Sequence, residues 1–150
     1  MLKGIDPLLN ADVLYALRAM GHGDDLVIVD ANFPGESVAS ATPFGHLLRI
    51  DATNVAHAVR AVLSLYPLDS FVDDAAARME VVGDPAKLLP VHHEIQTEID
   101  KAEGKSWPLV PLERYAFYER AKQAFCIVQT CERRFYGNVA LRKGVIPPEA

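Results

Sequence analysis

The sequence has little cysteine and no long apolar run. Its two cysteines in 150 residues, Cys126 and Cys131, are too few for a disulfide scaffold or a four-cysteine zinc site. We place them in a strand and its following turn, on opposite faces, and expect both to be reduced packing residues. No segment approaches the roughly 18 apolar residues of a membrane span, and the first residues lack a signal-peptide core. We therefore expect a cytoplasmic protein that does not bind membranes.

A concentrated basic surface is also missing. Fifteen Lys and Arg are scattered among 20 Asp and Glu, which gives a net charge of −5. Nucleic-acid binding requires basic residues gathered on one face, so nucleic acid is excluded as a partner. Half of the residues are hydrophobic and 23% are charged, as in ordinary globular domains. The length suits one domain, residues 1–150, with a single core.

Motifs for cofactors, phosphates and nucleophilic serine are absent as well. The chain has no Gly-x-Gly-x-x-Gly, no Walker-type loop and no Gly-x-Ser-x-Gly. His92 and His93 are adjacent, so on a helix they point about 100° apart and cannot chelate a metal as an i, i+4 pair does. We interpret both as solvated helix histidines, and His46 and His57 as structural. We expect neither a cofactor nor a metal.

One stretch, residues 21–34, concentrates the informative residues. The apolar run 26–29 lies between turn residues, which is typical of a buried strand. His22, flanked by two glycines, precedes the run, and Asp30 follows it. Polar groups at the ends of strands are accessible to ligands, so His22 and Asp30 are the first candidate functional residues.

Helical and extended patterns alternate along the rest of the chain, which predicts an α/β fold with a mixed or largely parallel sheet. The spacing of apolar residues predicts helices over 8–20, 55–66, 88–102 and 113–124, and strands over 26–29, 47–50, 109–112, 125–130 and 139–141. Asn10, Asn54 and Gly104 are the expected helix caps. Residues 35–44 are interpreted as a loop, and 70–82 fit either a helix or a strand.

Several short motifs occur together in one order. They are GHGD at 21–24, DANFP at 30–34, RYAFYERA at 114–121, YGN at 136–138 and KGV at 143–145. Over nearly the whole chain, these motifs resemble the ribose pyranase / L-fucose mutarotase family, and the Phe-Pro and Phe-Tyr-Glu-Arg-Ala segments are similar to its fucose branch. The resemblance implies a single three-layer α/β/α domain with a mixed, largely parallel sheet. It also favours a strand over 75–81.

The same resemblance implies a function and a site. The family interconverts the α and β anomers of a free monosaccharide without a cofactor. His22 falls on its proton-transfer residue, while Asp30, Arg114, Tyr136 and Asn138 fall on its sugar-binding positions. Tyr136 can also donate a proton. Bacterial relatives form ring-shaped homodecamers with sites at subunit contacts, so we expect a similar homo-oligomer here.

The residues themselves are compatible with this chemistry, and some alternatives remain open. Ring opening removes a proton from the anomeric hydroxyl and delivers one to the ring oxygen, and a histidine can carry one of these near neutral pH. Arg114 has the alternative of pairing with Glu113 or Glu119. Asn32 stands where some relatives carry His, so we expect no catalytic role for it.

Residues 91–105 match the family poorly, which leaves the sugar preference open. The leading hypothesis is a mutarotase for L-fucose. A non-catalytic sugar-binding accessory of an uptake pathway and a ribose-type pyranase are the alternatives.

Overall fold

The computed structural model describes residues 1–149, which form five helices and six strands. The helices are α1 Ala11–Ala19, α2 Gly35–Ala39, α3 Val55–Leu63, α4 Pro90–Glu103 and α5 Arg114–Gln123. The strands are β1 Asp25–Val29, β2 Leu48–Arg49, β3 Ala76–Met79, β4 Leu109–Leu112, β5 Cys126–Gln129 and β6 Val139–Arg142. No helix among these residues has the length and apolar character needed to cross a membrane.

All six strands belong to one sheet with the order β2-β5-β1-β6-β3-β4. β1 and β2 pair in parallel with β5, and β3 pairs in parallel with β4. β6 is antiparallel to both of its neighbours, β1 and β3. Five strands therefore run in one direction and β6 runs against them, which confirms the predicted mixed, largely parallel sheet.

Helices cover both faces of the sheet. α1, α3 and α4 pack on one face, and α2 and α5 pack on the other. β1 lies in the middle, and its side chains alternate between the two layers: Leu26 and Ile28 face the first, while Val27 and Val29 face the second. This explains why the whole 26–29 run is apolar, and it confirms the three-layer α/β/α architecture.

The predicted helix caps are present. The Asn10 side chain accepts a hydrogen bond from the Val13 amide at 3.0 Å, and the Asn54 side chain accepts one from the Ala56 amide at 2.8 Å. Each satisfies one of the amides that a helix start leaves without a partner. Gly104 ends α4 with a φ of 71°, the left-handed conformation that glycine adopts without strain.

The prediction of a loop over residues 35–44 was wrong, because α2 occupies its first half. Val38 and Ala39 are buried in the layer of α2 and α5, and this packing stabilises a helix that is too short to form by propensity. Gly35 begins α2 directly against Leu47, where a Cβ atom would lie only 3.0 Å from the leucine side chain. The predicted helix over 55–66 also ends earlier, at Leu63.

Two side chains lie in other surroundings than predicted. His92, interpreted as solvated, is only 1% exposed because α4 packs Val91 and Ile95 into the core and carries His92 with them. Cys131 is exposed instead of packed, since it lies beyond the end of β5. Cys126 is buried, and neither cysteine forms a disulfide.

Candidate functional site

Four of the predicted site residues meet at one edge of the sheet. Asp30 follows β1 and Arg114 follows β4, while Tyr136 and Asn138 precede β6. Because β6 runs against the other strands, its beginning lies at the same edge as their carboxyl ends, where open α/β sheets bind ligands. A hollow of about 230 Å³ opens there, and it is lined by Asp30, Asn32, Phe33, Met79, Val82, Arg114, Tyr118, Phe135, Tyr136 and Asn138.

Asp30 is held almost entirely by main-chain groups. One carboxylate oxygen accepts hydrogen bonds from the amides of Asn32 and Phe33, each at 3.0 Å, and the other accepts one from the Gly137 amide at 3.1 Å. Burial raises the pKa of Asp30 above its ordinary value, and these hydrogen bonds oppose that rise. The carboxyl group is thus fixed in direction and borders the hollow.

Asn138 and Gly137 bring the start of β6 against Asp30. The side-chain oxygen of Asn138 accepts a hydrogen bond from the Asp30 amide at 2.9 Å, and its amide nitrogen lies 3.9 Å from the Met79 sulfur. At Gly137, a Cβ atom would lie 3.0 Å from the Glu132 side chain and 3.4 Å from that of Asp30. Position 137, which lies between Tyr136 and Asn138 in the sequence, therefore has room only for glycine.

Tyr136 has an unusual backbone conformation. Its φ is 63°, and it is the one residue other than glycine with a positive φ in the range 1–149. This region is costly for a bulky residue and is often found at functional sites. The phenol oxygen accepts a hydrogen bond from the Val82 amide at 3.2 Å, which joins Tyr136 to the segment that follows β3.

Arg114 is exposed at the first position of α5 and is positioned by aromatic side chains. Its Nε donates a hydrogen bond to the Tyr118 hydroxyl at 3.1 Å, and its guanidinium lies 5.5 Å and 5.7 Å from the ring centres of Tyr118 and Tyr115. The hydrogen bond to Tyr118 raises the pKa of Arg114. Among the described residues it forms no ion pair with Glu113 or Glu119, which leaves its charge available to a ligand.

His22 lies away from this hollow. It precedes β1 whereas Asp30 follows it, so the two are separated by the length of a five-residue strand, roughly 17 Å. Nε2 of His22 lies 3.1 Å from the Asp69 carboxylate, and the imidazole contacts the edge of the Phe71 ring. The His22 side chain is 46% exposed, so it is accessible from outside its own chain.

Asp69 is a candidate residue that the sequence analysis missed. Asp69 is 47 residues away from His22 in the sequence. Its amide donates a hydrogen bond to the carbonyl of Arg142, the last residue of β6, at 3.0 Å, and this bond places Asp69 beside His22. A hydrogen bond from the Phe71 amide, opposed by burial and reinforced by His22, lowers the pKa of Asp69. The carboxylate is therefore ionised and orients the imidazole.

Other lining residues were also missed. Met79, Val82 and Phe135 add apolar side chains to the lining of the hollow, and no spacing in the sequence connects them. Tyr118 could have been found, since it is four residues after Arg114 and thus on the same face of α5. Among residues 1–149, no group of three or more His, Cys, Asp or Glu side chains has the arrangement of a metal site.

Comparison with known proteins places this arrangement in a family. A model of the RbsD / FucU transport protein family matches residues 3–146. The chain belongs to this family. It is 44% identical over 154 residues to the fucose mutarotase of Danio rerio, with 99% of this chain and 97% of that protein covered.

Solved structures of RbsD / FucU proteins share the fold. The fucose mutarotase of Streptococcus pneumoniae, solved in complex with L-fucose, superimposes with a TM-score of 0.85 at 36% identity, covering 97% of this chain and 100% of that one. Atu2016, described as a candidate sugar binding protein, superimposes with a TM-score of 0.95 at 59% identity, covering 98% and 97%.

Proposed function

We propose that this protein, as a single domain over residues 1–150, is a cofactor-independent mutarotase that interconverts the α and β anomers of a free monosaccharide, with L-fucose as its substrate. The observation that carries the proposal is the polar hollow in which Asp30, Arg114, Tyr136 and Asn138 converge. The similarity to two fucose mutarotases supports the choice of sugar.

The groups around the hollow suit a small polyol. Asp30 accepts hydrogen bonds from hydroxyl groups, Arg114 and Asn138 donate to them, and the ring of Tyr136 covers an apolar face of the sugar. The apolar side chains of Met79, Val82 and Phe135 in the lining suit an apolar part of the ligand. L-fucose offers one, because its C6 is a methyl group.

Anomer exchange requires two proton movements. A base removes the proton of the anomeric hydroxyl while an acid protonates the ring oxygen, the C1–O5 bond breaks, and the open-chain aldehyde forms. Rotation about C1–C2 and the reverse steps close the ring on the other carbonyl face. We assign His22, oriented by Asp69, and Tyr136 to these proton transfers. One positioned acid or base contributes roughly 10²–10⁴-fold, which is sufficient for a reaction that also proceeds in water.

Because His22 lies away from the hollow of its own chain, it can transfer protons to a sugar bound there only if it comes from a second copy of the chain. We infer a homo-oligomer, a ring-shaped decamer as the resemblance implies, in which His22 of one copy faces the hollow of the next. The exposure of the His22 and Phe71 side chains supports such a contact. A cytoplasmic location agrees with the exposed free thiol of Cys131, since reducing compartments keep such thiols unpaired.

Exchange spectroscopy by NMR tests the activity. The purified protein is added to L-fucose, and magnetisation transfer between the α and β signals is measured beside D-ribose. We expect exchange of L-fucose to exceed the buffer rate. Faster exchange of D-ribose would favour a ribose-type pyranase. Shifted ligand signals with exchange at the buffer rate would identify a binding accessory instead and refute the enzyme.

Mixing two inactive variants tests the shared site. His22→Ala is expected to lose at least 10²-fold in rate, and Asp30→Asn, assayed below its KM, is expected to lose at least tenfold because it binds the sugar more weakly. If a site takes His22 and Asp30 from different copies, equal mixtures reassembled from separated chains contain about one quarter intact sites and regain that share of activity. If both residues act within one chain, the mixture stays inactive.

A further inference from the structure

A second, apolar hollow opens beside the polar one. It has a volume of about 340 Å³, and it is lined by Leu89, Pro90, Val91, Arg133, Arg134 and Phe135. Phe135 borders both hollows, and its side chain is 71% exposed. An apolar cavity of roughly 150 Å³ is large enough for a benzene ring. The apolar hollow therefore has room for an aromatic side chain beside Phe135.

Two arginines give the apolar hollow a positive border. Arg134 forms ion pairs with Glu94 and Glu132, so its charge is balanced within the chain. Arg133 is exposed and forms no ion pair with any residue of the range 1–149. Complementary charges on two surfaces favour their association. The apolar hollow thus suits an aromatic side chain that has acidic neighbours.

Phe71 is such a side chain, and it lies at the opposite end of the sheet. It is 72% exposed, although its amide is fixed by a hydrogen bond to the Asp69 carboxylate at 3.0 Å. Segment 69–74 contains three aspartates and neither Lys nor Arg, so its charge is opposite to that of Arg133. Exposed aromatic side chains of this kind are enriched where proteins contact each other.

Phe71 is also tied to His22. The two rings meet edge to face with 5.7 Å between their centres, so a partner that holds Phe71 also fixes the place of His22. The apolar hollow adjoins the polar hollow, because both are bordered by Phe135. A ring seated against Phe135 would therefore place an attached imidazole next to the polar hollow.

The two surfaces lie at opposite ends of one chain, so they can meet only between copies. A contact between two different surfaces of identical chains is heterologous, and it builds closed rings or open filaments. Each copy then offers Phe71 to one neighbour and its apolar hollow to another.

We propose that Phe71 of one copy inserts into the apolar hollow of the next copy, against Phe135, and that this head-to-tail contact brings His22 to the polar hollow. The delivery of His22 to a bound sugar rests on the proposed function. The contact between the two surfaces does not.

Cross-linking tests the contact directly. Phe71→Cys and Phe135→Cys are combined in a Cys131→Ser background, which removes the exposed native thiol. The assembled protein is treated with a short bismaleimide and separated by denaturing electrophoresis. A heterologous contact links each chain to two others, so we expect a ladder that reaches three or more covalently joined chains.

Three controls accompany the paired variant. Phe71→Cys alone and Phe135→Cys alone should stay monomeric on the gel, because a head-to-tail contact does not bring identical positions together. The third control pairs Phe71→Cys with Tyr15→Cys and should also stay monomeric. Tyr15 is 67% exposed and lies on α1, outside both surfaces. Monomers alone in the Phe71 and Phe135 pair would overturn the proposal, and so would covalent dimers alone, which indicate an isologous contact.

Alanine variants measure the weight of the contact. In a dilution series followed by sedimentation, Phe71→Ala and Phe135→Ala should each raise the concentration at which the copies separate at least tenfold, because buried aromatic anchors dominate interfaces. The double variant should separate little more readily than either single one, since both remove the same contact. Tyr15→Ala should match the wild type. Fully additive losses, or assembly unchanged by Phe71→Ala, would contradict the insertion.

The contact and the proposed function can fail separately. A wild type that leaves sugar exchange at the buffer rate while the paired variant gives the ladder would remove the enzyme and keep the contact. An active wild type whose paired variant stays monomeric on the gel would keep the enzyme and remove the contact.

Discussion

Two aspartates at opposite ends of the sheet are buried to the same extent but held differently. Asp30 is 2% exposed and Asp69 is 3% exposed. Asp30 accepts hydrogen bonds from main-chain amides, and burial raises its pKa. Asp69 binds the Phe71 amide and the His22 ring, and its pKa is lowered. Similar exposure thus accompanies opposite shifts: burial outweighs the hydrogen bonds at Asp30, whereas at Asp69 the hydrogen bonds from Phe71 and His22 outweigh burial.

The different surroundings of Asp30 and Asp69 suit them to two different functions. Asp30 is anchored by a loop and the start of β6, so it can hold a hydroxyl group in a fixed direction. Asp69 stays charged beside an exposed imidazole, so it can orient a group that gives and takes protons. In the proposed mechanism, sugar binding and the proton transfer by Tyr136 belong to the end of the sheet at Asp30, whereas the proton transfer by His22 belongs to the opposite end.

The largest effect is expected for Asp30→Asn. Three main-chain N–H groups donate to the Asp30 carboxylate. In the variant, the NH₂ group of the asparagine side chain faces at least one of them, so this buried N–H loses its acceptor. We expect KM to rise at least tenfold and stability to fall by about 1–3 kcal/mol. Exchange kinetics and chemical denaturation measure the two effects. An unchanged KM would show that Asp30 serves only the fold.

A smaller and more selective effect is expected for Asp69→Asn. The His22 ring loses its charged partner and its orientation, so kcat should fall about tenfold while KM stays within twofold. Asp73→Asn is the control, since Asp73 is exposed in the same segment. If KM rises instead of kcat falling, Asp69 belongs to the binding task and the division between the two ends is wrong.

The smallest effect is a difference in acid stability. Asp69 has a lowered folded pKa, so its stabilising contribution is present above the ordinary pKa near 4 and is lost as the pH falls below it. The folded-state pKa of Asp30 is raised. Between the unfolded-state pKa near 4 and this higher folded-state pKa, the folded protein binds more protons than the unfolded chain, so the free energy of unfolding falls as the pH rises. Free energies of unfolding are measured from pH 3 to 6 and plotted against pH. Relative to the wild type, the slope should become less positive in Asp69→Asn and less negative in Asp30→Asn. Equal changes in slope would contradict the comparison.

Local patterns predicted most elements of this fold. The apolar run 26–29 and the β-branched run ending at residue 130 lie in neighbouring strands, and asparagine caps mark two helix starts. The short helix α2 was missed because its stability comes from burial of Val38 and Ala39, which a sequence of Ser, Ala and Gly does not reveal.

The candidate site was predictable in part. Family motifs indicated Asp30 and Tyr136, and the pairing of β6 with β1 and β3 brings them together. The partner of His22 was not predictable, because Asp69 reaches it only through pairing between distant segments. The burial of His92 depends on how α4 rotates against α3, and the spacing of apolar residues around it left that rotation undecided.

The reversed direction of β6 has a consequence for engineering. Its first residue follows Asn138 at the hollow, and the residue after its end, Lys143, accepts a hydrogen bond from the Gly23 amide beside His22 at 2.9 Å. One inserted residue in this four-residue strand would shift the two ends by about 3.3 Å and turn every following side chain to the other face. Chimeras between relatives must therefore keep the length of β6.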